Sequence, residues 1–158
     1  MNLKKLLLVA FVAISAAMSA SGADLSREAL NLRSQIKSYL SQEGYVPSID
    51  EDGDIKFKYQ GNTYFIQLFD IAGDIALRYM VGVTIPDNVS QARAKEVCLY
   101  VAQQKLCTRA TVTTSGRTIN VQIDGFCSGI SMFKDLFLTN MKLLDGVSDN
   151  VLEKLAGK

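Results

Sequence analysis

The segment that decides the fold runs from Asp50 to Ile85 and reads DEDGDIKFKYQGNTYFIQLFDIAGDIALRYMVGVTI. Its alternating apolar and polar residues predict strands, and the Gly-, Asn- and Asp-containing segments between them predict tight turns. We place a two-residue turn at Gly61-Asn62, because Gly and Asn tolerate the positive φ angles that hairpin turns need. This register sets Tyr59 opposite Tyr64 and gathers the apolar residues of both strands on one face.

Two further turns extend this hairpin. A three-residue loop at Glu51–Gly53 sets Ile49 opposite Ile55, and a turn at Ile71–Asp74 returns the chain into a strand that ends at Ile85. The alternation again places the large apolar residues on the shared face. Together these segments predict an antiparallel meander of four strands.

Helical periodicity appears on both sides of the meander. Apolar residues three and four positions apart predict helices over about Ser26–Glu43, over about Asn88–Lys105 and from Ser128 to near the end of the chain. Asn88 with Gln91 resembles a capping box for the second helix. The pair Asp145-Gly146 predicts a kink or a split in the third.

A second hairpin is predicted between the last two helices. Thr108–Thr114 and Arg117–Asp124 alternate in polarity around Ser115-Gly116, with Val112 opposite Ile119. The order is therefore helix, four-strand meander, helix, β-hairpin, helix. This order indicates an α+β fold in which helices cover a largely antiparallel sheet.

The N-terminal segment has the pattern of a secretory signal peptide over residues 1–23. Lys4-Lys5 precede an apolar run from Leu6 to Ala17, and small residues follow up to Ala23. The run is shorter than the about 20 apolar residues that span a membrane, so we expect no stable membrane anchor after cleavage. Residues 24–158 are then predicted to form one domain of a periplasmic or secreted protein.

Composition excludes several classes of function. The 17 Lys and Arg residues nearly balance the 16 Asp and Glu residues, which argues against a nucleic-acid partner. The chain contains no His, which removes Ser-His-Asp and Cys-His catalysis and all His-ligated metal sites. We therefore expect a protein that is not an enzyme, with no catalytic residues, no cofactor and no metal.

The acidic segment Asp50–Asp54 invites comparison with a calcium-binding loop. Its Gly is the fourth residue of the segment rather than the sixth, and Gly61 stands where the bidentate Glu of such a loop belongs. We interpret the segment as a solvated hairpin turn.

The cysteines Cys98, Cys107 and Cys127 are odd in number, so at most one intramolecular disulfide forms among them. Cys107 and Cys127 lie just outside the two ends of the second hairpin, which favours that pair. Cys98 falls on a helical face, where it is interpreted as a small buried hydrophobe.

The candidate site lies on the other face of the central hairpin, where Phe65 and Phe69 occur beside Lys56 and Lys58. If the rings are exposed, aromatic side chains flanked by lysines suit a protein or peptide partner. The alternative is that a helix of the same chain, or a second copy of it, covers them.

Several short motifs carry a family resemblance. The order of elements, Gly44-Tyr45, Asp50–Asp54, the strand segment Tyr64–Leu68 and Ile85-Pro86 before a helix resemble the YbjN family of proposed sensory transduction regulators. That family is similar in fold to class I type III secretion chaperones. The resemblance implies an interaction module without catalytic residues that is often dimeric.

These observations predict an exported, non-enzymatic, protein-binding or chaperone-like module. Its partner is a protein or peptide, a second copy of the chain included. The alternative is a periplasmic carrier of a small apolar ligand, held in a pocket between the helices and the sheet.

Overall fold

The structure, a computed structural model, describes residues 25–105 and 107–157. The predicted signal peptide at residues 1–23 lies outside the described residues. Helices and strands follow one another in the predicted order. They are α1 (Arg27–Gln42), β1 (Ser48–Ile49), β2 (Ile55–Tyr59), β3 (Asn62–Ile71), β4 (Asp74–Thr84), α2 (Gln91–Gln104), β5 (Thr108–Val112), β6 (Thr118–Phe126) and α3 (Ile130–Leu155).

The strands form one six-stranded sheet with the order β1-β2-β3-β4-β6-β5. Every neighbouring pair is antiparallel. The first four strands are the predicted meander. Helix α2 then carries the chain to the far edge, where β5 lies, and β6 returns between β5 and β4. The α+β prediction is confirmed.

Most of the predicted turns are confirmed by the strand pairing. The loops at Glu51–Gly53, Ala72-Gly73 and Ser115-Gly116 close their hairpins in the expected registers, and Ile49 lies opposite Ile55. The glycine of each turn has a positive φ angle, which glycine adopts at little cost because it has no Cβ atom.

The register of the central hairpin differs from the prediction by two residues, because Tyr59 lies opposite Asn62 rather than Tyr64. Its turn is centred on Gln60-Gly61 rather than on Gly61-Asn62, so Phe57 lies opposite Tyr64. Gln60 and Gly61 have φ angles of 47° and 85°, as in the type I′ turn that matches the twist of the strands. The predicted register is therefore wrong. Because side chains alternate with a period of two, every apolar residue nevertheless stays on its predicted face.

The predicted cap of the second helix is also wrong. Helix α2 is capped by Ser90, whose Oγ accepts a hydrogen bond from the backbone N of Arg93 at 3.2 Å. Asn88 precedes the cap because a turn from Pro86 to Val89 occupies that position, with a backbone hydrogen bond of 3.0 Å. Helix α3 continues through Asp145-Gly146, so the split is not formed, and the alternative of a kink there stays a prediction.

One hydrophobic core fills the space between the sheet and the helices. Buried residues of α1, α2 and α3 belong to the same cluster as the inward-pointing residues of the strands, so these helices cover the same face of the sheet. Aromatic rings occupy much of this space, and the centroids of Phe133 and Phe137 are 5.4 Å apart.

Candidate functional site

The opposite face of the sheet carries all of the predicted partner-binding residues. Within residues 25–105 and 107–157, the helices pack on the other face. We call this surface the open face. Its residues alternate with the core residues along each strand, and they are Lys56, Lys58, Thr63, Phe65, Gln67, Phe69, Ile71, Asp74, Ala76, Arg78, Met80, Gly82, Thr84, Arg109, Thr111, Thr118, Asn120, Gln122, Asp124 and Phe126.

A single cross-strand row forms the centre of the open face. Strand pairing places Lys56, Phe65, Met80, Gln122 and Arg109 side by side across five strands. The ammonium nitrogen of Lys56 lies 6.0 Å from the centroid of the Phe65 ring, within the range of a cation–π contact. The row therefore has a cation at each end, with the apolar Phe65 and Met80 and the polar Gln122 between them.

The next row concentrates charge on one carboxylate. Arg78 Nε lies 2.7 Å from Asp124 Oδ1, and Arg109 Nη2 lies 3.1 Å from Asp124 Oδ2. The guanidinium of Arg78 also covers the Phe69 ring, at 4.9 Å from its centroid. Two guanidinium groups thus share one carboxylate and leave a positive surplus.

A third row is apolar and contains a residue that sequence reasoning missed. Phe69 lies beside Ala76, which lies beside Phe126, and Phe126 is 60% exposed. The sequence predicts a strand that ends at Asp124, two residues before Phe126. The alternation of outward residues at Asn120 and Asp124, continued by two more positions, is the signal that places Phe126 on this face.

Phe65 and Phe69 are half-buried. No helix in the described part of the chain covers them, so that alternative is wrong for these helices. Lys56 and Arg78, on neighbouring strands, lie over the two rings and account for part of their burial. Partner binding by these residues stays a prediction.

A groove of about 450 Å³ continues the open face around the edge of β2. Tyr45, Val46, Phe57, Lys56 and Lys58 line it, together with small or polar residues. Val46 is 89% exposed. Because β1 has two residues, it pairs with the start of β2 alone, and the groove lies beside the remainder of that strand.

The acidic loop at Asp50–Asp54 is held by its own hydrogen bonds. Oδ1 of Asp50 accepts from the backbone N of Asp52 at 3.1 Å and from that of Asp54 at 2.9 Å. The side chain of Asp54 is buried and accepts a hydrogen bond from Gln67 at 2.6 Å. Burial raises the pKa of the Asp54 carboxyl above its ordinary value. Among the described residues, no group of three or more His, Cys, Asp or Glu is arranged to hold a metal ion.

The cysteines are free thiols in the structure, so the predicted bond between Cys107 and Cys127 is not formed there. Cys107 is exposed, whereas Cys127 is buried and its Sγ donates to the carbonyl oxygen of Gly129 at 3.3 Å. In the register of the hairpin, Thr108 pairs with Ile123, and Cys127 lies beyond the residue that would face Cys107. The pairing stays a prediction for the exported protein.

None of the described helices is long and apolar enough to cross a membrane.

Comparison with known proteins supports the fold. No family model matches the sequence, and no curated protein matches it. Solved structures with this fold include an uncharacterized protein from Methanothermobacter thermautotrophicus, with a TM-score of 0.57, 14% identity, and coverage of 79% of this chain and 96% of that chain. A chain of the HopA1–SchA chaperone–effector complex has a TM-score of 0.51 and 7% identity, over 80% of this chain and 99% of that chain. The chaperone-like fold predicted from the sequence is thus confirmed, and identities this low show the fold alone.

Proposed function

We propose that this protein is a non-enzymatic, chaperone-like module that binds a protein or peptide partner on the open face. The observation that carries the proposal is the aromatic content of that face. Phe65, Phe69 and Phe126 occupy a surface that no described helix covers, and aromatic side chains are enriched at protein interfaces, as is Arg.

The structural likeness to a chain of a chaperone–effector complex supports this proposal at the level of the fold. We also propose that the protein is related to the YbjN family and that it forms a homodimer. The absence of His from the whole chain supports a role outside enzyme catalysis.

Export is the second part of the proposal. It is supported by the signal-peptide pattern over residues 1–23. We propose that the protein acts in the periplasm or outside the cell. The intact mass of the protein recovered from the periplasm should show the loss of residues 1–23, whereas an uncleaved chain in the cytoplasm would contradict export.

The packing of the core favours protein binding over the apolar-ligand carrier. A carrier needs a pocket between the helices and the sheet, yet Phe57, Tyr64, Phe133 and Phe137 are at most 2% exposed in that space. Rings from the sheet and from α3 lie in mutual contact, and the centroids of Phe57 and Phe137 are 6.0 Å apart.

Partner retention by variants tests the proposal. The tagged protein would be isolated from its native cells as wild type, as Phe65→Ser/Phe69→Ser and as Leu99→Ser, and each sample weighed by native mass spectrometry. Leu99 is an exposed leucine on α2 and serves as the matched control. Loss of a partner protein from the Phe variant alone supports the proposal. Equal retention by both variants contradicts it, and a co-purified lipid would favour the carrier.

A further inference from the structure

The charges of the open face do not balance. Lys56, Lys58, Arg78 and Arg109 carry four positive charges on this surface, against three carboxylates. These are Asp124, which the two arginines share, Asp74 at the start of β4, and Asp54, which accepts a hydrogen bond from Gln67. Lys56 and Lys58 are exposed, and within residues 25–105 and 107–157 neither forms a salt bridge. The whole chain is nearly neutral, so this surplus is a local feature of one surface.

The two unpaired lysines also have a regular spacing. They occupy alternate positions of β2, so their Cα atoms are about 6.5–7 Å apart, as alternate residues of any extended chain are. Between and beside them lie apolar groups, since Phe65 and Met80 continue the row of Lys56 and Val46 and Phe57 line the adjoining groove.

We propose that the open face and the groove at its β2 edge bind an extended peptide segment in which acidic residues alternate with apolar ones. This inference rests on the proposed protein-binding function and names the chemistry of the partner. Carboxylates at alternate positions meet Lys56 and Lys58, because an extended ligand has the same repeat as β2. The intervening apolar side chains point to the opposite side of the extended ligand, where they bury surface against Val46 and Phe57 in the groove.

Single-stranded nucleic acid also binds cationic surfaces that contain aromatic rings, and there the bases stack on exposed ring faces. In this structure cations lie over two of the three rings instead: Arg78 covers Phe69 at 4.9 Å, and Lys56 lies over Phe65, whereas Phe126 is exposed. The arrangement therefore favours carboxylates that approach the cations over bases that need the ring faces.

A pair of matched fluorescent peptides tests the inference. One short peptide alternates Glu with Val, and the other alternates Lys with Val. Fluorescence anisotropy would measure the affinity of each for the purified wild-type protein and for Lys56→Glu/Lys58→Glu. The control, Lys95→Glu/Lys142→Glu, makes the same change of charge at exposed positions of α2 and α3.

We expect the wild type to bind the Glu peptide more tightly than the Lys peptide, with an affinity that falls as salt is added. Reversing the charges of Lys56 and Lys58 should lower the affinity for the Glu peptide about tenfold, since repulsion replaces two exposed ion pairs. The same change should raise the affinity for the Lys peptide. The control variant should bind both peptides as the wild type does.

Three results would overturn the inference: equal affinity of the wild type for both peptides, an equal loss in the control variant, or a single-stranded oligonucleotide that displaces the Glu peptide from Lys56 and Lys58. If neither peptide binds while the native partner is still lost from Phe65→Ser/Phe69→Ser, the proposed acidic ligand is wrong and the protein-binding function stands. If that variant also keeps the partner, the proposed function itself fails.

Discussion

Tyr64 donates a hydrogen bond from its hydroxyl to Oδ1 of Asp145 at 3.0 Å, and this bond joins strand β3 to the middle of helix α3. The Tyr64 side chain is fully buried, and its partner immediately precedes Gly146, where the sequence predicts a kink or a split in the helix. Burial and the neighbouring Asp145 carboxylate both raise the pKa of the Tyr64 phenol above its ordinary value.

We predict that Tyr64→Phe lowers the free energy of unfolding by about 1 kcal/mol near neutral pH, because one buried hydrogen bond is lost. The raised pKa adds a pH dependence with a definite sign. The folded state holds the Tyr64 proton more tightly, so this contribution is fully present below the unfolded pKa of about 10 and is lost as the pH rises above it.

The difference in unfolding free energy between wild type and Tyr64→Phe should therefore shrink as the pH rises above about 10. Denaturant unfolding at neutral and alkaline pH measures this difference. A difference that stays constant across the range would show that the phenol does not titrate as its environment implies.

Gly61→Ala should destabilise the protein by about 1 kcal/mol, because Gly61 has a φ angle of 85° and a Cβ atom is unfavourable in that conformation. Space is not the reason, since nothing lies within 4 Å of the position of the added Cβ. The midpoint of thermal or denaturant unfolding measures the change.

Gly146→Ala is the matched control, because Gly146 also has open space around it but lies inside α3. Alanine is favoured over glycine in a helix interior by about 1 kcal/mol, so this variant should be more stable than the wild type. An unchanged midpoint for Gly61→Ala would contradict the type I′ turn at Gln60-Gly61.

Phe65→Ser/Phe69→Ser should leave the fold largely intact, because both rings lie on the open face and are only half-buried. Phe137→Ala is the comparison, since Phe137 is buried in the core among Phe133 and Tyr39. That change should cost about 3 to 5 kcal/mol. Thermal melting of both proteins tests the assignment. If the double variant loses as much stability as Phe137→Ala, the rings of Phe65 and Phe69 lie in the core.

Asp54→Asn should be at least as stable as the wild type near neutral pH. The amide keeps an oxygen that can accept the hydrogen bond from Gln67, and it removes a buried charge. Since the folded pKa of Asp54 is raised, the wild type gains stability as the pH falls through that folded pKa towards the unfolded value of about 3.9. Unfolding curves in mildly acidic buffers should show a smaller gain for Asp54→Asn, and equal gains would contradict the raised pKa.

The thiols of the reduced protein should react with a maleimide in the order Cys107, Cys98, Cys127. Cys107 is exposed, Cys98 is half-buried with a pKa that burial raises, and Cys127 is buried. Peptide mapping after timed labelling measures the order. In protein recovered from the periplasm without reductant, the predicted disulfide would leave Cys98 as the one reactive thiol, whereas labelling of Cys107 would contradict that bond.

Local patterns were sufficient for most of the fold. The alternation along Asp50–Ile85 identified the strands and their faces, and the helical periodicity of α1 is as the sequence predicts. These predictions succeed because each depends on residues within one turn or one strand pair. The turn at Gln60-Gly61 was missed because either two-residue turn puts the same apolar residues on the same face, so polarity could not distinguish them.

The candidate site was predicted in part for the same reason. Alternation alone placed Phe65, Phe69, Lys56 and Lys58 together on the outward face, since that depends only on the period of a strand. Phe126 was missed because the length of β6 depends on its pairing with β4, which is far away in the sequence.

By itself, then, the sequence determined the order of elements, the inward and outward face of each strand, and the absence of His chemistry. The tertiary structure alone decided that β6 lies between β4 and β5, that all the described helices cover one face, and that Arg78 and Arg109 meet at Asp124. These features join residues distant along the chain, and the packing of the whole core selects them rather than any local preference.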